Sequence, residues 1–216
     1  MDKITTMLFD FDGTLLDSKT SIVLSFFRLC QKYNPGEYSY RQIEKRFGES
    51  FADITAGWQG EKSSEIRKNY IQMMSYYDEQ FSALFPGVQE NLLKLKLSGF
   101  KLGLVTNKEK ELTVQGLKRN GLIDYFDYVI TVNDVSKPKP SPEPIIRALN
   151  ILDSKAKETI IFGDTVFDYQ AAESAGTGFV ALDWYRSYYL LKLRPKHYYF
   201  SLDDFIRDYF AACLAI

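Results

Sequence analysis

Between Val88 and Leu182 short apolar runs alternate with stretches whose apolar residues recur at helical spacing. The order is helix Val88 to Leu97, strand Lys101 to Thr106, helix Lys108 to Arg119, strand Tyr128 to Val132, helix Pro144 to Leu149, strand Thr159 to Phe162, helix Phe167 to Ala175 and strand Phe179 to Leu182. This predicts an α/β fold, a Rossmann-like parallel sheet with helices on both faces. A first strand, Met7 to Phe9, precedes a break in the pattern. Ile22, Phe26, Leu29, Cys30 and Tyr33 mark a helix that Asn34-Pro35-Gly36 stops, and Arg41 to Phe47, Phe51 to Trp58 and Ser63 to Tyr77 read as further helices with no strand among them. An all-helical block inside an alternating chain reads as an insertion after the first strand, with Pro86-Gly87 marking the return. The expected division is a core of residues 1–17 and 86–216 and an inserted helical cap of residues 18–85, which suits a chain of 216 residues. Beyond Trp184 we expect an irregular stretch rich in aromatic and basic residues, a short strand near Tyr198 to Phe200 and a helix from Leu202.

The strands end on polar residues. The first runs into Asp10-Phe11-Asp12-Gly13, two carboxylates at a strand exit, where open α/β sheets bind ligands. Such a pair suits a nucleophile and a general acid or base beside a hard metal ion, or simply a turn in which Asp17 or Ser18 caps the next helix. Thr106-Asn107 offers a hydroxyl and backbone N–H groups for phosphate oxygens, or an ordinary helix cap. Prolines at 138, 140, 142 and 144 stiffen the backbone around Lys139, as a fixed cation requires; a polyproline ligand would need PxxP spacing. Asp164 follows the apolar run Ile160 to Phe162, with Asp168 four residues later; Asp164 or Thr165 could also cap a helix. On one parallel sheet Asp10, Asp12, Thr106, Lys139 and Asp164 would converge on one rim, which coincidence explains poorly.

Several chemistries are excluded. Gly13 arrives too early for a calcium loop, Asp-Phe-Asp-Gly is not the kinase Asp-Phe-Gly, and no GxxxxGK[ST] loop occurs. His197 is the only histidine, which argues against a Ser-His-Asp triad, a phosphohistidine or a histidine-held metal. Oxygen ligands and lysine must carry any catalysis. A net charge of −1 provides no field to gather nucleic acid or an anionic membrane. No apolar run suggests a leader or a membrane span, and Cys30 and Cys213, far apart in helical patterns, read as buried free thiols of a cytoplasmic protein.

The ordered set DFDGT (Asp10 to Thr14), TN (Thr106, Asn107), KPSPEP (from Lys139) and GDTxxD (through Asp164 and Asp168) resembles the haloacid dehalogenase superfamily. Within it, the chain is similar to the phosphoglycolate phosphatase and pyrophosphatase-like branch, with a helical cap after the first strand. The resemblance implies a Mg²⁺-dependent phosphatase that hydrolyses a small phosphate monoester through an aspartyl-phosphate on Asp10, with Asp12 as acid and base. It implies Mg²⁺ held by the Asp10 carboxylate, the Asp12 main-chain oxygen and Asp164, with Asp168 supporting the site directly or through water. Thr106 and the Asn107 backbone would hold the phosphoryl oxygens, and Lys139 would sit among the carboxylates. The loop containing Arg46, Gly48 and Glu49 is similar in placement to the family's specificity loop. Arg41, Lys45 or Arg46 could pair with a substrate carboxylate such as that of phosphoglycolate, or merely form a solvated face.

Alternatives stay open. They are an inorganic pyrophosphatase, a sugar-phosphate mutase, and an idle phosphate-binding regulatory module. The mutase is disfavoured because Ile22 stands where mutases carry an early cap histidine. The expected partner is a small phosphorylated metabolite, with no nucleic acid and no membrane, for a monomer or homodimer. Trp184-Tyr185-Arg186 departs from the family's glycine after the last core strand. These residues suggest a packed surface or dimer contact ahead of stacking on single-stranded nucleic acid.

Overall fold

The computed structural model describes residues 3–58 and 63–214, the side chains of 213 and 214 excepted. The first half comprises β1 (Thr6–Phe9), β2 (Leu16–Asp17), α1 (Lys19–Tyr33), α2 (Tyr40–Glu44), α3 (Phe51–Ile54), α4 (Ser63–Phe81) and β3 (Ala83–Leu84). Then follow α5 (Val88–Leu97), β4 (Lys101–Val105), α6 (Lys110–Arg119), β5 (Tyr128–Ile130), α7 (Glu143–Ile151), β6 (Thr159–Gly163), α8 (Val166–Ala175), β7 (Gly178–Leu182), β8 (His197–Tyr199) and α9 (Leu202–Leu214).

Six strands form one sheet in the order β5-β4-β1-β6-β7-β8, every neighbouring pair parallel. The chain starts in the middle, builds outward through β4 and β5, then returns to the other side of β1. That reversal makes the carboxyl end of β1 a topological switch point. Side chains alternate across the sheet, so Met7 and Phe9 pack with Leu92, Leu95, Leu117, Phe205 and Ile206, while Leu8 packs with Ile145, Ala148, Ala171 and Ala172. Helices α5, α6 and α9 thus cover one face and α7 and α8 the other. Phe9 stacks on Phe162 at 4.5 Å, and Phe162 meets Phe205 edge-on at 4.8 Å. Each such burial contributes roughly 1.5–3 kcal/mol.

The helices between β2 and β3 surround a cluster of their own, Val23, Phe26, Leu29, Ile43, Ile54, Ile66, Tyr70 and Met74, which also receives Leu112 from α6. The stretch expected to be wholly helical contains one strand: Ala83 and Leu84 pair antiparallel with Asp17 and Leu16. Two residues are too few to show a period, and only the return of the chain beside Leu16 makes them a strand. Within this stretch the expected helices Arg41 to Phe47 and Phe51 to Trp58 are shorter, α2 and α3, and the expected Ser63 to Tyr77 extends as α4 to Phe81. His197, expected in an irregular stretch, lies on β8, paired with Val180.

The first residues of the tail, Trp184 and Tyr185, pack against the ribbon of β2 and β3, while Arg186 to Tyr189 are exposed. Trp184 stacks on Phe85 at 4.5 Å with rings 1° from parallel, and its indole N–H donates to the Thr14 carbonyl at 3.0 Å. Tyr185 donates to Asp17 at 2.8 Å and meets Phe47 edge-on, so these residues brace the two-stranded ribbon. Cys30 is a buried free thiol, whereas the thiol expected at Cys213 lies outside the described side chains. No helix among the described residues is long and apolar enough to cross a membrane.

Candidate active site

The exits of β4, β1 and β6 lie side by side because those strands are neighbours. The ladder continues one residue past β1, where the Asp10 N–H donates to the Phe162 carbonyl at 2.9 Å. Phe11 is completely buried, and the N–H groups of Leu15 and Leu16 both donate to its carbonyl at 2.9 Å. Anchoring this one aromatic leaves both flanking carboxylates at the sheet edge. Gly13 turns the chain at φ +77°, and a Cβ there would collide with the Asp164 carboxylate, so both the conformation and the close approach require glycine.

Lys139, 3% exposed, donates to Asp10 Oδ1 at 2.8 Å, to the Val105 carbonyl at 2.8 Å and to Asp168 Oδ1 at 2.5 Å. All three ammonium donors are satisfied. Its backbone is held by Asn107, whose side chain accepts from the Lys139 N–H at 3.0 Å and donates to the Lys139 carbonyl at 2.9 Å. The same amide reaches the Gly48 carbonyl at 3.3 Å. The Lys139-Pro140 peptide is cis. Asp168 Oδ2 accepts from the Thr165 N–H and hydroxyl, so Thr165 caps α8 while Asp168 also holds the lysine.

A second buried lysine, not foreseen from the sequence, stands beside Asp12. Lys108 donates to Asp12 Oδ1 at 2.9 Å and to Asp78 Oδ2 at 2.8 Å, with its side chain only 2% exposed. Ser18 donates to the same Asp12 oxygen at 2.6 Å rather than capping α1 with its side chain, and Ser21 donates to Asp78 Oδ1 at 2.5 Å. Asp12 Oδ2 accepts no hydrogen bond among the described residues. Two signals for this network were present. Lys108 follows Thr106-Asn107 directly, where a cation just ahead of a helix opposes its dipole. Asp78 continues the buried stripe Ile66, Tyr70, Met74 at every fourth position, one residue beyond the helix expected from the sequence.

Burial pushes the Asp10 carboxyl up to about 7, against the opposing pull of Lys139 and with Asp168 and Asp12 adding to the rise. Burial likewise holds Asp164 well above the ordinary carboxylate range, reinforced by Asp10 and Asp168. Burial alone would lower both lysines, but Asp12 and Asp78 raise Lys108, as Asp10 and Asp168 raise Lys139. Asp10, Asp164 and Asp168 each offer a carboxylate oxygen within 4.8 Å of the others, an all-oxygen set that fits a hard divalent cation. Such charge would relieve the strain of ionising this cluster.

Above the carboxylates lies a cavity of about 40 Å³, lined by Asp10, Asp12, Thr106, Asn107, Lys108, Lys139 and Thr165 at the sheet edge. Ile22, Phe26, Gly48, Glu49, Phe51, Tyr70 and Glu109 complete it. Of the residues singled out from sequence, Asp10, Asp12, Thr106, Asn107, Lys139, Gly48 and Glu49 therefore share one cavity. Asp164 and Asp168 stand beside Asp10 without lining it. Arg46 is not in the lining: it donates to Glu49 at 2.5 and 2.9 Å and to the carbonyls of Asp53 and Ile54. Arg41 and Lys45 are exposed.

The model of the haloacid dehalogenase-like hydrolase family matches residues 7–182. A relative named pyrophosphatase PpaX, from Bacillus thuringiensis strain Al Hakam, is 34% identical over 182 residues, 84% of each chain. Among solved structures, a protein from Bacteroides fragilis described as a haloacid dehalogenase-like hydrolase superposes with a TM-score of 0.84 at 25% identity, covering 94% of this chain and all of the other. One described as a phosphoglycolate phosphatase, from Lactobacillus plantarum, shares the fold at a TM-score of 0.85 and 22% identity, over 95% of this chain and 99% of its own. With its matching sheet, its ordered strand-exit residues and this span of similarity, the chain belongs to the haloacid dehalogenase-like hydrolases.

Proposed function

We propose that this hydrolase is a Mg²⁺-dependent phosphatase acting on a small phosphate monoester through an aspartyl-phosphate. The observation that carries the reading is that Asp10 and Asp12 line one cavity with Lys139, Thr106 and Asn107. The helices between β2 and β3 serve as its cap. Asp10 Oδ1 is engaged by Lys139, and the carboxylate attacks phosphorus as the bond to the leaving oxygen breaks. Asp12, fixed through Oδ1, delivers a proton from Oδ2 to that oxygen and later takes one from the water that hydrolyses the acyl phosphate. Thr106 and the backbone at Asn107 hold phosphoryl oxygens, and Lys139 offsets the charge gathered there. Asp10, Asp164 and the Asp12 main-chain oxygen would hold Mg²⁺, with Asp168 supporting the site through Lys139 and Thr165. Bound there, Mg²⁺ supplies charge that neutralises the phosphoryl oxygens.

Ile22 in the lining offers no proton acceptor, which favours hydrolase over mutase. A second reading, pyrophosphatase, is favoured by the relatives bearing that name, 34% identical over 84% of the chain. The test is phosphate release with Mg²⁺ or EDTA for the wild type and Asp10→Asn. Turnover that requires Mg²⁺ and vanishes in a folded Asp10→Asn variant is expected; undiminished release by the variant removes Asp10 as nucleophile.

A further inference from the structure

Every cation around the cavity is already committed to a carboxylate. Four carboxylates line it, Asp10, Asp12, Glu49 and Glu109, against two lysines. Lys139 is shared by Asp10 and Asp168, and Lys108 by Asp12 and Asp78. The arginines nearest the two glutamates lie outside the lining and are committed: Arg46 to Glu49, and Arg67 to Glu109 at 2.5 and 3.0 Å. Among the described residues no cation remains in the cavity to meet a second anionic group on a substrate. Three aromatic rings, Phe26, Phe51 and Tyr70, form part of the wall beside Ile22 and Gly48. Tyr70 stacks on Phe26 at 4.6 Å and lies 4.9 Å from Phe51, which fixes its ring. It is only 5% exposed, lines the cavity, and its hydroxyl has no hydrogen-bond partner among the described residues. That hydroxyl opens on the cavity, where it is free to donate to or accept from a bound molecule.

We propose that the leaving group is a small uncharged alcohol carrying a further hydroxyl, which Tyr70 and the glutamates 49 and 109 bind while its carbon skeleton rests on Phe26 and Phe51. This deepens the phosphatase reading and rests on it. A second carboxylate or phosphate would lose water in the cavity and face two glutamates, whereas a hydroxyl can donate to a glutamate and accept from the phenol. The small cavity favours a leaving group of few atoms. The inference therefore separates this chain's substrate from both phosphoglycolate and pyrophosphate.

The experiment compares kcat/KM, by phosphate release with Mg²⁺, for 2-hydroxyethyl phosphate, glycerol 1-phosphate, phosphoglycolate and pyrophosphate. The first and third differ essentially in a hydroxymethyl against a carboxylate. The two esters with uncharged leaving groups should be favoured by about 100-fold, the consequence of leaving a second anion unpaired. A preference below about tenfold, or one for either anionic compound, overturns the proposal and leaves the hydrolase reading intact. No release from any of the four removes both together. Tyr70→Phe should lower kcat/KM for 2-hydroxyethyl phosphate by about 3- to 10-fold, the worth of one neutral hydrogen bond, with little change for phosphoglycolate. Equal loss on both assigns Tyr70 a packing role and refutes its part in recognition. Glu49→Gln and Glu109→Gln should narrow the preference; an unchanged ratio in both refutes the electrostatic argument.

Discussion

Replacing Lys108 by methionine keeps much of the side chain's bulk and removes its charge. The ammonium lies 2.8 Å from Asp78 and 2.9 Å from Asp12, with Lys108 and Asp78 side chains 2% and 4% exposed. At an effective dielectric constant of about 20, a contact of this length represents roughly 6 kcal/mol of gross attraction. Removing water from three charged groups offsets most of the two contacts, at several kcal/mol per ion. The loss on substitution is therefore set by the two carboxylates left behind, and about 3–5 kcal/mol of stability should disappear. Urea unfolding followed by far-ultraviolet circular dichroism measures it. Adding Asp78→Asn to Lys108→Met should cost less than the sum of the single changes, with a coupling of about 1–3 kcal/mol. A Lys108→Met loss below about 1 kcal/mol, or additive single effects, would refute the reasoning that these charges depend on one another.

The metal-free protein should weaken as pH rises. Asp10 titrates near 7 when folded against an ordinary 3.8, so the folded chain holds more protons between those values, and stability falls across that window. In EDTA the Tm should be lower at about pH 7.5 than at about pH 5, Mg²⁺ should reverse much of the decline, and Asp10→Asn should flatten it. Asp183 contributes to an opposite acid limb, together with Asp127, Asp134 and Asp204: at Asp183 burial is outweighed by hydrogen bonds from Tyr198, Ser187 and Tyr188. Its lowered carboxyl contributes stability above about pH 4 that is lost as pH falls further, so Asp183→Asn should weaken the acid dependence of unfolding. Gly13→Ala should cost at least about 1–2 kcal/mol from its left-handed backbone alone and, by displacing Asp164, abolish Mg²⁺ binding measured calorimetrically. Trp184→Ala should cost about 2–4 kcal/mol in denaturant unfolding, whereas Trp184→Phe, which keeps the stack on Phe85, should recover all but about 1 kcal/mol.

The alternation of apolar runs and amphipathic helices was legible because burial on both sheet faces forces it. Met7, Leu8 and Phe9 are all apolar since each faces a helix on one side or the other. Asp10, Asp12, Thr106, Lys139 and Asp164 could be read for a related reason: each ends or follows a strand, and parallel strands carry their exits to a common edge. Trp184 and Tyr185 showed only that the tail was unusual, and neither their ring contacts with Phe85 nor their hydrogen bonds to Thr14 and Asp17 have a local period.

The sequence by itself thus determined the parallel sheet and the carboxylates at its rim, because strand periodicity and turn chemistry act over a few residues. Only the tertiary structure decided which charges neutralise which. Lys108 meets Asp78 across 30 positions and Lys139 meets Asp10 across 129. Charge pairing depends on distance in space and on the water removed around each group, and a linear pattern holds neither.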